Sequence, residues 1–95
     1  MTSKERAHLI SIAMKYDAII NIGKGGITPE ITANVDEALE ARELIKVNVQ
    51  KNCFDPIRDL AETIAGRTRS EVVQVIGRKF VLYRYSKTKT KHIEF

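Results

Sequence analysis

Ala18-Ile19-Ile20-Asn21-Ile22-Gly23-Lys24-Gly25-Gly26-Ile27-Thr28-Pro29 changes character twice within twelve residues. The first five residues are short, apolar and β-branched, and glycines close them, which favours a buried strand over a helix. Gly23 to Gly26 then turn the chain sharply. Thr28 as N-cap and Pro29 at the first helical position start a helix, because a proline there gives up only an amide that has no helical partner. A strand that passes through a glycine turn into a helix opens a crossover connection, and the rest of the chain follows from it.

Downstream, Ile31, Val35, Ala38, Leu39 and Arg42 recur at helical intervals, while Glu30, Asp36, Glu37, Glu40 and Glu43 make the other face acidic. Leu44 to Val49 sets Ile45, Val47 and Val49 against Lys46 and Asn48, the period of a half-buried strand with one wet face. Asp55-Pro56 reads as a cap and a first-turn proline, and Ile57, Leu60, Ala61 and Ile64 form the stripe of a third helix expected to end at Gly66. Val72 to Ile76 and Lys79 to Tyr85 are two strands joined across Gly77-Arg78, short enough for a hairpin. Upstream, the Thr2 and Glu5 spacing is that of a capping box, and residues 3–15 read as an amphipathic helix.

The order is helix, strand, helix, strand, helix, strand, strand. Two crossover helices make the first three strands run the same way, and the hairpin makes the last antiparallel. The fold class is therefore α/β, a two-layer sandwich on a mixed four-stranded sheet, with helices two and three on one face. The place of the first helix is left open. Residues 1–85 are expected to form a single domain. Residues 86–95 read as a basic tail without an apolar face, in which Lys87, Lys89 and Lys91 alternate with Ser86, Thr88 and Thr90. Such a tail is expected to stay mobile, with Ile93 and Phe95 as the one hint that its end folds back.

Ninety-five residues with 43% apolar and 29% charged content leave room for one core. No apolar run approaches the ~18–20 residues that span a bilayer, and the N-terminus lacks the apolar segment of a signal peptide, so a cytoplasmic location is expected. Cys53 is the only cysteine, which excludes an intrachain disulfide and a thiolate-rich metal cluster. His8 and His92 lie far from Cys53, so no nucleophile–base pair is evident, and no cofactor or metal is expected. The charge is lopsided. Residues 1–62 carry 8 Lys and Arg against 10 Asp and Glu, whereas residues 63–95 carry 8 against 2. A basic block of this kind suits a polyanion, because cations placed near phosphates release condensed counterions.

Gly23 to Gly26 match neither the phosphate loop of nucleotide hydrolases nor the dinucleotide fingerprint. A GxxG turn ahead of a helix instead suits a clamp on a nucleic-acid backbone: glycines admit a phosphate closely, helix N-terminal amides favour an anion, and Lys24 adds charge. Arg67, Arg69, Arg78, Lys79 and Arg84 are the second element, since several of them are expected around one edge of the sheet. Tyr16, Tyr83 and Tyr85 are possible stacking residues, although tyrosines in such strands are more often packing residues.

Three blocks resemble a known family. Ile22 to Thr28, Glu37 to Val47 and Val73 to Arg84 are similar, in order and spacing, to the YhbY-like family of CRM domains. The resemblance implies a fold like the C-terminal domain of translation initiation factor three. It implies RNA binding, with single-domain bacterial members associated with precursors of the large ribosomal subunit. Carried over by position, the RNA-binding loop is Gly23, Lys24, Gly25 and Gly26, with Lys46, Arg78, Lys79 and Arg84 as its basic surroundings. Tyr85 departs from the pattern, which places a proline there, and the departure bears on the path of the tail. The expected protein is a monomeric, non-enzymatic RNA binder with no membrane or small-molecule partner. The alternative is a protein-interaction module that docks a ribosomal protein or assembly factor through the acidic face of helix two.

Overall fold

Capping explains where the helices begin. The Thr2 hydroxyl accepts from the Glu5 amide while the Glu5 carboxylate accepts from the Thr2 amide, and this reciprocal pair opens α1 (Ser3–Ala13). In the computed structural model, which describes residues 1–95, there follow β1 (Ile20–Ile22), α2 (Pro29–Arg42), β2 (Leu44–Val49), α3 (Ile57–Thr68), β3 (Glu71–Ile76) and β4 (Lys79–Tyr83). Thr28 caps α2 through the Ile31 amide, with Pro29 at the first helical position as expected. Asp55 does not cap α3; Pro56 occupies that position and no side chain bonds the first amides. Nor does α3 stop at Gly66. It continues to Thr68, whose hydroxyl bonds back to the Ile64 carbonyl, and Arg69 in the left-handed conformation ends it.

The sheet order is β1-β2-β4-β3. β1 and β2 are parallel, and β4 runs antiparallel to both β2 and β3, so the first three strands share one direction and the last opposes them. The hairpin thus folds back into the middle of the sheet. A bulge between Val72 and Gln74 interrupts the β3–β4 register, and the Arg6 guanidinium from α1 bonds the Val72 and Val73 carbonyls there.

On one face α2 and α3 cover the main core, where Ile22, Val35, Leu39, Val47, Ile64, Phe80 and Leu82 are fully buried. α1 lies on the opposite face over Leu44, Val73 and Val81, contributing Leu9 and Ala13. The sandwich of sheet and paired helices therefore carries a thinner third layer. That layer stops short of the end of the sheet where β1 and β2 finish.

The segment after Tyr83 is not free, contrary to the expectation of a mobile tail. The backbone amides of Ser86 and Ile93 and the His92 ring bond the Glu43 carboxylate at 2.7, 3.0 and 2.5 Å. The amides of Lys87 and Thr88 bond Glu40. Ile93 packs against the α1 core, the Phe95 ring meets Tyr83 edge-on, and Tyr85 stacks on His92. β4 ends at Tyr83 and not Tyr85: the Arg84 amide still bonds the Glu43 carbonyl, but Glu43 caps α2 with φ +68° and its own amide goes to the Leu39 carbonyl, so the ladder stops there.

Candidate functional site

Gly23 to Gly26 form a tight turn at the exit of β1, closed by the Gly26 amide on the Gly23 carbonyl at 3.0 Å. Gly26 is buried with φ +67°, a conformation that side chains disfavour, and a methyl there would stand 3.3 Å from the Asp55 carboxylate. Gly25 differs: its φ is ordinary and a methyl would meet only the Thr28 methyl group, at 3.9 Å. The backbone amides of Lys24 and Gly25 donate to no protein acceptor, and both residues are exposed. Two free amides, a lysine and the start of α2 thus face solvent together, an arrangement with the polarity to receive a phosphate.

The ladder brings three further segments to this end. β2 finishes at Val49 beside Ile22, and the hairpin places Lys79 opposite Asn48. Asn21, Asn48, Lys79 and Ile76 are consecutive register partners across all four strands, and the Asn48 carboxamide bonds that of Asn21 at 3.0 Å. This row lies on the α1 side of the sheet, beyond the reach of α1, so it is open. The wet face of β2 was legible in the Lys46 and Asn48 alternation. Its partners Asn21 and Ile76 carry no such local signal, because only strand order brings them into one row.

Arg78 serves the frame. Its guanidinium donates to the carbonyls of Val49, Gln50 and Cys53 at 2.9, 2.5 and 2.8 Å, which fixes the loop between β2 and α3 against the hairpin. Lys24 and Lys79 are the exposed cations of the expected set at this end, and Lys51 joins them from the loop that Arg78 holds.

The remaining candidates sit elsewhere. Lys46 is half-buried midway along β2, lining a hollow of about 450 Å³ with Lys15, Tyr16, Arg42 and Lys89. Arg67, Arg69 and Arg84 lie at the opposite end, because β3 separates α3 from the hairpin by six residues, about 17 Å of extended chain. The basic residues therefore do not gather around one edge. Arg84 is also engaged: its guanidinium, 18% exposed, bonds Asp36 at 2.6 Å, the Thr68 carbonyl at 2.8 Å and Glu40 at 3.3 Å. The same contacts, with those of the C-terminal segment, occupy most of the acidic face of α2. Among the tyrosines, Tyr83 and Tyr85 are taken up by Phe95 and His92, and Tyr16 remains at the Lys46 hollow.

Glu43 is fully buried at the C-cap of α2, with φ +68°. Burial pushes its carboxyl up, yet the hydrogen bonds from Ser86, His92 and Ile93 outweigh that and hold it below the ordinary glutamate range. No three His, Cys, Asp or Glu side chains converge as a metal site. Cys53 belongs to the Arg78-held loop and turns its side chain into the main core, and His8 lies on α1 against Phe95. No helix is long and apolar enough to cross a membrane.

The chain is 44% identical over 94 residues to the Bacillus subtilis "Probable RNA-binding protein YqeI", covering 99% of this chain and 97% of that one. A Haemophilus influenzae protein named "RNA-binding protein" is 30% identical over 86 residues, which is 90% of this chain and 87% of the other. The solution structure of the hypothetical protein SAV1595 from Staphylococcus aureus superposes with a TM-score of 0.83 at 50% identity, covering 99% and 97% of the two chains. The family model of the CRS1 / YhbY (CRM) domain matches residues 1–84. With that match and these relatives, the chain belongs to the CRS1 / YhbY family of CRM domains.

Proposed function

We propose that this protein binds RNA through the Gly23–Gly26 loop and the open polar row beside it, and that it acts on ribosomal RNA in precursors of the large ribosomal subunit as a non-enzymatic assembly factor. The observation that carries the binding surface is the pair of unpartnered amides at Lys24 and Gly25, flanked by the exposed cations Lys24, Lys51 and Lys79. Phosphate oxygens satisfy such amides, and lysines add sequence-independent attraction. The ribosomal target rests on the family, whose single-domain bacterial members the chain resembles along nearly its whole length. Lys46 and the Lys15 hollow extend the basic surface along β1, whereas Arg67 and Arg69 offer a separate contact at the far end. Arg78 and Arg84 support the fold more than they meet RNA.

The test pairs two substitutions at one exposed position. Gly25→Ala fits the space and the backbone, so it should bind short single-stranded RNA within about twofold of wild type. Gly25→Asp should weaken binding about tenfold or more while melting like wild type, because its carboxylate faces the approaching phosphate. Wild-type affinity should fall linearly in log salt concentration. Equal RNA binding by both variants would remove the loop from the interface.

A further inference from the structure

Phe54 is 92% exposed, more than any other large apolar side chain of the molecule. Complete burial of a phenylalanine is worth about 1.5–3 kcal/mol, and the fold forgoes it here while burying the neighbouring Cys53 to 2% exposure. The loop that presents it is not slack. Arg78 grips three of its carbonyls, those of Val49, Gln50 and Cys53, and the Cys53 amide closes a turn on the Gln50 carbonyl at 3.0 Å. The backbone is thus fixed up to the residue before the ring.

The same loop abuts the glycine turn on both sides of Phe54. The Gln50 amide bonds the Ile22 carbonyl at 2.8 Å, the Gln50 side chain stands where a Gly23 methyl would go, and Asp55 stands against Gly26. Around the ring the sequence is Gln50, Lys51 and Asn52 before it and Asp55 and Pro56 after it, all exposed. A single ring in a polar, lysine-bearing rim lacks the apolar surround of a protein-docking anchor. It has what a nucleobase needs: a free π face, a rigid mount, and cations nearby for the attached phosphates.

We propose that Phe54 is the stacking platform for one unpaired base of the RNA whose backbone is held at the Gly23–Gly26 loop. This assignment rests on the RNA-binding reading and specifies it: the ligand is single-stranded at this point, because a base inside a duplex is already stacked on both faces. Asp55, at Gly26, disfavours a phosphate on its own side of the turn, so the backbone is expected to pass over Lys24 and Gly25.

The chain contains no tryptophan, so Phe54→Trp introduces a single fluorophore at the site. With a short single-stranded oligoadenylate, indole emission should be quenched on binding, with wild-type affinity retained. Phe54→Ala should lose about 5- to 150-fold in affinity for that oligonucleotide, the equivalent of about 1–3 kcal/mol for one stacked base, and nearly nothing for duplex RNA of the same length. Because the side chain is solvated, each variant should melt like wild type. If wild type binds the oligoadenylate, Phe54→Ala binds it equally and Phe54→Trp is not quenched, the stacking assignment fails while RNA binding stands. If wild type binds neither probe, the RNA-binding reading fails, and the assignment with it.

Discussion

Arg84 does different work from the exposed lysines it resembles in charge, and the difference is measurable at the level of one residue. Arg84 is among the expected RNA contacts through the basic C-terminal block and through its place in the family resemblance. Its guanidinium instead ties α2 to the end of α3, through Asp36 and Glu40 on one helix and the Thr68 carbonyl on the other. A hydrogen bond to a charged group contributes about 1.5–3 kcal/mol, and the Thr68 carbonyl would be left short of its charged donor, whereas the ion pair to the exposed Asp36 adds under about 1 kcal/mol. Arg84→Ala is therefore expected to lower stability by about 2 kcal/mol, roughly 8–16 °C in melting temperature for a domain of this size. Its salt dependence of RNA binding should match wild type. Lys24→Ala should show the reverse: an unchanged melt, and a salt slope smaller by roughly 0.7–1, the share of one phosphate. Thermal melts and salt titrations of the two variants side by side check this, and an Arg84→Ala protein that melts normally yet binds with a reduced slope would restore Arg84 to the interface.

Element by element, the sequence was readable wherever the signal was local. Pro29 behind Thr28, the alternation through Leu44–Val49 and the capping box at Thr2 each describe a few neighbouring residues, and each marks its element in the structure. The C-terminal segment was unreadable for the opposite reason. Its own residues carry no apolar face, and its partner, Glu43, counts as one more carboxylate on an acidic helix until the positive φ at the C-cap turns it inward. The insertion of β4 between β2 and β3 is likewise a matter of pairing across the molecule. The site shows the same division: the glycine turn was legible, whereas Phe54 and Asn21 acquire meaning only from what stands beside them. Truncation after Tyr85 is accordingly expected to destabilise the domain. It removes the Ile93 and Phe95 contacts and three donors to Glu43, while water returns to the carboxylate and limits the loss to about 2–3 kcal/mol. A fall of roughly 10–20 °C in the melt of residues 1–85 is the expected outcome, and an unchanged melt would mean that the segment adds nothing to stability.

For the molecule as a whole, net charge and acid stability pull in opposite directions. The formal charge is +4, and Arg6, Arg78 and Arg84 spend theirs on internal carbonyls and carboxylates, so the lysines carry most of the outward field. Acidification neutralises exposed carboxylates and raises the net charge, which strengthens attraction to RNA. The fold responds differently, because Glu43 is held below the ordinary glutamate range by its three hydrogen bonds. A carboxyl whose folded value is depressed stabilises the fold at pH above its unfolded value, and that stabilisation disappears as the pH falls toward the folded one. Glu40 follows the same sign, lowered first by hydrogen bonding from the Thr88 side chain. The melting temperature should thus fall as the pH drops below about 4.5, while a buried carboxyl must take up a proton and release donors from Ser86 and Ile93. Glu43→Gln separates this group from the rest. It retains a carbonyl oxygen but no charge, so it should melt lower than wild type near neutral pH and lose less on acidification, the two curves converging as the pH falls through the depressed folded value of Glu43. Parallel curves across that range would show that the docking of the C-terminal segment does not depend on the Glu43 charge.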